Sequence, residues 1–265
     1  ALTAVSNSTL KNSGTITIGA KDTTGANAQS YGLTAGQIAA GVLVTQIDNN
    51  GAANVNLSAN TLETSSGIAV NAEKQNSLTA KTVGGALGLA YAGTGIAATV
   101  NDTGNAAITM TSTGSSFKGS GITFTSTNKP TAVSEATSAS IGGLVSGGVS
   151  VANSTMSGKA LVNVSGGNVF TAPTVSFNGM LSGTNTVKSV GVSGGFVGSF
   201  GYNESNAYNT ALVNVIIGKN TYDAATDLKL YGTNIVTQSA DTSGLNVGGL
   251  LASGNNKART VSIAR

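Results

Sequence analysis

The sequence predicts an all-β chain that winds as a right-handed parallel β-helix, or β-solenoid, and two observations lead to this prediction. A glycine-containing motif recurs five times in the 265 residues, and segments between the copies alternate apolar and polar side chains. Repeats at intervals of tens of residues are typical of solenoids, in which each repeat packs mainly against its neighbours. We therefore expect residues 1–265 to form one continuous β-solenoid that is a segment of a longer repeat array.

The first motif is a glycine pair, reduced to a single glycine in its first copy. The copies lie at residues 35–38, 83–86, 141–144, 193–196 and 247–250, and their first glycines are 48, 58, 52 and 54 residues apart. We interpret these glycines as coil corners or close-packing positions, where a Cβ would clash, and not as ligand-binding residues. The landmark residues are Gly36, Gly84, Gly85, Gly142, Gly143, Gly194, Gly195, Gly248 and Gly249.

A second motif of alternating polarity follows each glycine landmark. Its copies lie at residues 54–57, 107–110, 160–164, 211–215 and 260–263. Each repeat then holds several short strands in about 53 residues, whereas a β-helix coil usually takes roughly 20 to 30 residues. The expected architecture is therefore roughly ten coils, as about five repeats of two coils each, in a rod about 48 Å long.

Period-two alternation supports strands and not helices. In Thr15–Gly19 and in Gly121–Thr125, isoleucine or phenylalanine alternates with threonine, as in a strand that has one buried face. The best helix candidate, residues 34–44, is interrupted by Gly36 and Gly41, and glycine disfavours helix interiors.

The composition excludes several kinds of function. The chain has no His and no Cys, so it lacks the side chains that form the usual hydrolase triads, zinc sites and haem ligands. There is no run of Lys and Arg that would bind nucleic acid, and no apolar run long enough for membrane insertion. We expect no catalytic, metal-binding or cofactor-binding residues, no cofactor and no enzymatic activity.

Two groups of residues have a functional interpretation as well as a structural one. Asp223 and Asp227 would be calcium ligands or a glycosidase-like carboxylate pair, but a solvated turn before the strand at Leu228 is favoured. The six tyrosines would line a carbohydrate groove, or else cap the ends of a narrow core. They are Tyr31, Tyr91, Tyr202, Tyr208, Tyr222 and Tyr231.

Two runs, residues 141–152 and 243–258, read IGGLVSGGVSVA and SGLNVGGLLASGNNKA. They resemble the repeats of filamentous-haemagglutinin-like exoproteins, especially the leukotoxin-type filamentous adhesins of anaerobes. The resemblance implies secretion to the bacterial cell surface and a structural or cell-adhesion role in an extracellular filament. It implies no catalytic residues in the repeats. The partner would be a host-cell or matrix receptor, or a polysaccharide.

Two alternatives to this function are open. The chain is a subunit that stacks end to end into an extracellular fibre, because a coil at one end presents the edge that the other end needs. Or it is a β-helix enzyme that acts on polysaccharides, or a tailspike-like protein. The last class needs Asp, Arg and Lys clustered on one face, and the sequence shows no such cluster.

Overall fold

The computed structural model describes residues 1–263, and these residues form parallel strands with no helix. Three sheets run along the molecule. Sheet A contains β1 (Leu2–Ser6), β4 (Ala52–Ser58), β7 (Asn105–Met110), β11 (Lys159–Val164) and β15 (Leu212–Ile217). Sheet B contains β2 (Thr9–Asn12), β5 (Thr61–Thr64), β8 (Ser116–Lys118), β12 (Val169–Thr171) and β16 (Thr221–Asp223).

Sheet C is built from much longer strands. It contains β3 (Ile16–Asn49), β6 (Gly67–Asp102), β9 (Gly121–Gly142), β10 (Val145–Met156), β13 (Thr174–Gly195), β14 (Gly198–Asn209), β17 (Asp227–Gly248) and β18 (Leu251–Ser262). Every pairing in the three sheets is parallel. The expectation of an all-β fold with the parallel sheets of a solenoid is confirmed.

The pairing register shows that each repeat makes one coil. In sheet A, Val55 lies beside Ile108, Ile108 beside Val162, and Val162 beside Val215. Neighbouring coils are therefore about 53 residues apart, and the described residues make five coils. The expectation of two coils per repeat, and of ten coils, is wrong. Alternation marks strands, but it does not show how many strands one turn of the chain contains.

In cross-section each coil has a wide part, which is enclosed by sheet A, sheet B and the beginning of sheet C. Its core is aliphatic and aromatic, and stacked rings run along the rod. Phe117, Phe170 and Tyr222 occupy one column of successive coils, with ring centroids 5.3 and 5.5 Å apart. Phe124 and Phe177 stack in a second column at 5.2 Å. Because each ring lies on the equivalent ring of the next coil, the stacks favour the observed register.

The remainder of sheet C forms a second region, the flat arm, in which two layers of the same sheet face each other. In the third coil β9 runs outward, the chain reverses, and β10 runs back. The interior holds small side chains, and hydroxyls cross it: Ser150 Oγ donates to the Ala136 carbonyl oxygen at 2.9 Å. Small residues such as Ala80, Ala98 and Ala136 leave room for the two layers to pack against each other.

One glycine per coil lies at the tip, where the chain reverses. These glycines form a single column at intervals of 52, 54, 53 and 53 residues, and they are Gly36, Gly88, Gly142, Gly195 and Gly248. A Cβ on Gly88 would lie 1.8 Å from the Tyr91 carbonyl oxygen, so no other residue fits without moving the backbone. The predicted landmarks Gly84 and Gly85 lie before the tip, and the equivalent glycine of that coil is Gly88.

The other landmark glycines occupy different places. Gly143 and Gly249 follow the tip glycine of their coil, and Gly194 precedes it. Gly84 instead faces a bulky residue across the flat arm, because a Cβ there would lie 2.8 Å from the Ile96 Cγ2. A glycine also faces a larger side chain farther along the rod, where Gly244 lies opposite Asn256.

Four of the five copies of the second motif lie in sheet A, in or beside β4, β7, β11 and β15. The fifth, residues 260–263, does not. Thr260 pairs with Ala207 at the end of the returning layer, so this copy was assigned to the wrong phase of the coil. Its alternation is that of a strand, but strands of different sheets share the same pattern.

Candidate functional site

The two outermost coils present sheet edges that pair on one side only among residues 1–263. On the fifth coil Leu228 and Leu230 are 46% and 50% exposed, although their column neighbours Val175 and Phe177 are fully buried. Open edges with apolar side chains are templates for further strand pairing. The edge of the fifth coil therefore fits a further parallel coil, whether of the same chain or of another copy.

The edge of the first coil is similar in chemistry to the edge of the fifth. In several columns of the rod, the residue in the first coil is chemically related to the residue in the fifth coil. Examples are Leu10 with Tyr222, Ile16 with Leu228, Ile18 with Leu230, Leu33 with Leu245 and Gly36 with Gly248. The two edges would thus meet in register if one lay on the other.

A ladder of alternating charge runs along sheet B. Glu63 lies between Lys11 and Lys118, with carboxylate-to-ammonium distances of 3.1 and 2.9 Å. The hydrogen bonds from Lys118 and then Lys11, with their charges, hold the pKa of Glu63 below its usual value. Asp223 ends the same column at the fifth coil, so an acidic residue stands at one edge and basic Lys11 at the other.

The structure does not bring Asp223 and Asp227 into a metal site. Asp223 ends β16, Asp227 begins β17, and Ala224 between them has a left-handed φ of 59°. Asp227 pairs with Lys229 at 3.6 Å. Among residues 1–263 no three His, Cys, Asp or Glu residues come together as metal ligands. The arrangement is a turn between two sheets.

The six tyrosines lie in different columns and do not line one groove. Tyr222 stacks on Phe170 in the wide core, and burial raises its pKa. Tyr202 donates to Glu204 Oε2, which raises the pKa of Tyr202 and lowers that of Glu204. Tyr208 lies under the Arg259 guanidinium at 5.7 Å. Tyr31, Tyr91 and Tyr231 are exposed on separate coils.

An apolar ridge follows the tip of the flat arm along the rod. It consists of exposed side chains within two residues of the tip glycines. Leu89 is 78% exposed, Phe196 75% and Leu250 76%, and Leu144 lies between them. Large exposed apolar side chains that recur at one place along a protein surface are typical of interaction sites.

A buried charged pair lies where the flat arm joins the wide part, a place we call the neck. Lys74 and Asp102 are 0% and 1% exposed, and the Lys74 Nζ lies 3.7 Å from Asp102 Oδ1. The two residues come from the outgoing and returning parts of β6. Charges removed from water are costly unless they are fully paired, so this pair is the most unusual chemical feature in the structure.

The sequence interpretation missed the neck, although a signal exists. In β6, Ile68, Val70 and Ala72 alternate inward, and the next residue of that parity is Lys74. A lysine on the buried parity of a strand indicates a buried ammonium group. Asp102 gives the same signal, because it continues the buried parity of Ile96, Ala98 and Val100 in the returning part of the strand.

No family model, curated protein or solved structure matches this chain. Within residues 1–263 there is also no helix with the length and apolar character that a membrane span requires.

Proposed function

We propose that this chain is a structural and adhesive β-solenoid rod of a bacterial extracellular filament or surface adhesin, secreted to the cell surface. The observation that supports this proposal is the repetition of one coil in register, with each core residue on its equivalent in the next coil. A rod of this kind extends by adding coils, each about 4.8 Å along the axis. Its function is to span distance and to present a surface, without chemical turnover.

The rod is right-handed in this proposal. Each sheet A strand is followed by a crossover that returns to the next parallel strand of the same sheet. Such connections are right-handed in nearly all proteins, because the strand twist favours that path.

The adhesive part of the function is assigned to the apolar ridge at the tip. Leu89, Phe196 and Leu250 project from the second, fourth and fifth coils at the edge that is farthest from the wide part. The sides of the rod carry paired charges such as Lys21–Glu73 and Lys81–Glu135. A receptor or matrix surface would meet the ridge before it meets these sides.

A second function, end-to-end stacking of copies into a fibre, is favoured by the match between the two edges. Lys11 of one copy would face Asp223 of the next, and Ile18 would lie on Leu230. The glycines at the tip, Gly36 and Gly248, would continue their column. Not every column matches, since Leu43 would meet Asn256.

The experiment that tests these functions is electron microscopy and sedimentation of the purified chain over a range of concentrations. A rod without stacking remains a short particle about 24 Å along its axis, from five coils at ~4.8 Å each. Stacking gives fibres whose axial length grows with concentration. Globular particles without an axial strand repeat in diffraction would contradict both functions.

The stacking function is tested further with a pair of variants on one strand. Leu230→Glu places a carboxylate on the inward column of the open edge, and Tyr231→Glu places it on the outward column. Both side chains are about half exposed in the single chain. Stacking predicts that Leu230→Glu abolishes fibres and Tyr231→Glu does not. Equal effects of the two variants would contradict association through the coil edge.

A further inference from the structure

The Lys74–Asp102 pair at the neck has an unusual lack of hydrogen bonds. The Lys74 ammonium has no hydrogen-bond partner among residues 1–263, and neither has Asp102 Oδ2. An ammonium group carries three donors, and a buried one is normally paired with acceptors on every side. An ion pair with an orphaned oxygen and an orphaned ammonium is a costly arrangement in a buried site.

The other carboxylate oxygen is well supported. Asp102 Oδ1 accepts from Asn49 Nδ2 at 2.9 Å and from the Gly104 backbone N–H at 3.3 Å. Two fixed donors on one oxygen, in a site closed to water, would stabilise negative charge that develops on that oxygen. In contrast, Asp102 Oδ2 accepts no hydrogen bond from residues 1–263.

The backbone leaves room for the lysine at this place. A Cβ on Gly104 would lie 2.0 Å from the Lys74 Cε and 2.5 Å from its Nζ. The end of the lysine side chain therefore lies directly against the Gly104 backbone, which also donates to Asp102. Its position is determined by packing, and the amine is held beside the carboxyl group.

We propose that Lys74 and Asp102 form an intramolecular isopeptide bond. One ammonium proton first moves to Asp102 Oδ2, and the neutral Lys74 Nζ then attacks Cγ of Asp102. The new oxyanion forms on Oδ1 under the Asn49 and Gly104 donors, and the Cγ–Oδ2 bond breaks as the carbonyl re-forms at Oδ1. Two protons of the ammonium leave with Oδ2 as one water molecule, and the third stays on the amide nitrogen. The carboxylate and ammonium charges cancel, so the step needs no oxidant, reductant or cofactor.

The bond would join the two layers of the flat arm at its base. Both residues belong to β6, so the product closes residues 74–102 into a covalent loop in the second coil. It also replaces two buried charges by one neutral amide, which removes the cost of keeping the pair out of water. The inference is independent of the adhesive and stacking functions, because it concerns one chain.

The test is the intact mass of the purified chain, followed by fragmentation of its proteolytic peptides. We expect a mass lower than that of the sequence by one water, and a branched peptide that joins Lys74 to Asp102. An unmodified mass overturns the proposal. A loss of one ammonia also overturns it, because the acceptor would then be an amide such as Asn49 or Asn128.

Two variants serve as matched controls. Lys74→Gln removes the attacking amine and should have the full mass of its sequence. Lys81→Gln removes a lysine of the same strand that pairs with Glu135 on the surface, and it should still lose one water. Water loss in the Lys74→Gln variant would overturn the proposal. If that variant does not fold, the branched peptide of the wild-type chain remains decisive.

Discussion

Gly142 approaches Val145 so closely at the tip of the flat arm that a Cβ on Gly142 would lie 2.1 Å from the Val145 carbonyl oxygen. Gly194, which belongs to the next predicted glycine pair, has a different environment. A Cβ there would meet only the Val247 carbonyl oxygen, at 3.9 Å. The two glycines look alike in the sequence, but only Gly142 is required by the turn.

This difference predicts opposite results for two alanine substitutions. Gly142→Ala should lower the free energy of unfolding by about 1 to 3 kcal/mol, because the backbone at the tip must move. Gly194→Ala should be neutral, or stabilise by up to about 1 kcal/mol, through a less flexible unfolded chain. Urea unfolding followed by circular dichroism measures both, and equal losses would contradict the assigned tip.

The core of the wide part predicts a large effect at Ile108. This side chain is fully buried in the cluster with Val55 and Val162, so Ile108→Asp should cost about 4 kcal/mol or more. Val213→Asp should cost less, because Val213 lies in the fifth coil and is only partly buried. Thr109→Asp, on the outward face of the same strand as Ile108, is the control. Normal thermal melting of the Ile108 variant would contradict the face assignment.

Secondary structure predicts the far-ultraviolet circular dichroism spectrum. Since residues 1–263 contain no helix, the spectrum should be dominated by strand, with under about a tenth helix. A helix content above roughly a quarter would exclude the solenoid.

The charge ladder on sheet B predicts a dependence of stability on pH. The pKa of Glu63 is lowered by Lys118 and Lys11, so the folded state keeps the carboxylate ionised to lower pH than the unfolded state does. The stabilisation from Glu63 is therefore present above the ordinary glutamate pKa of 4.5 and is lost as pH falls through the lower pKa of the folded state. The melting temperatures of the wild-type chain and Glu63→Gln should differ at neutral pH and converge in acid. A difference that grows in acid would reverse the predicted sign.

The strands could be predicted from the sequence because their alternation is local. Ile108 and Val162 lie on the buried parity of their strands, and the structure places both in the core. Gly84 is a close-packing position, which is one of the two roles expected for these glycines, but the chain of that coil reverses at Gly88. Glycine has two roles in this chain. Gly88 allows the chain to reverse, and Gly84 leaves room for the facing side chain of Ile96. The sequence does not distinguish these two roles.

The coil size and the neck could not be predicted because they depend on long-range pairing. The return of the chain over the outgoing layer brings Lys74 next to Asp102, which are 28 positions apart in the sequence. No local pattern specifies that two layers of one strand will face each other. The alternation around Lys74 indicated its burial but not its partner.

One coil per repeat is the central claim, and the absence of cysteine allows a direct test. Thr109 and Asn163 lie side by side on the outward face of β7 and β11, at a separation of ~5 Å expected for paired strands. In the double variant with Thr109→Cys and Asn163→Cys, a short thiol-reactive crosslinker should bridge the two cysteines within one chain. Thr109→Cys with Glu135→Cys, half a repeat apart, should not. Bridging of the half-repeat pair, without bridging of the full-repeat pair, would contradict the fold described here.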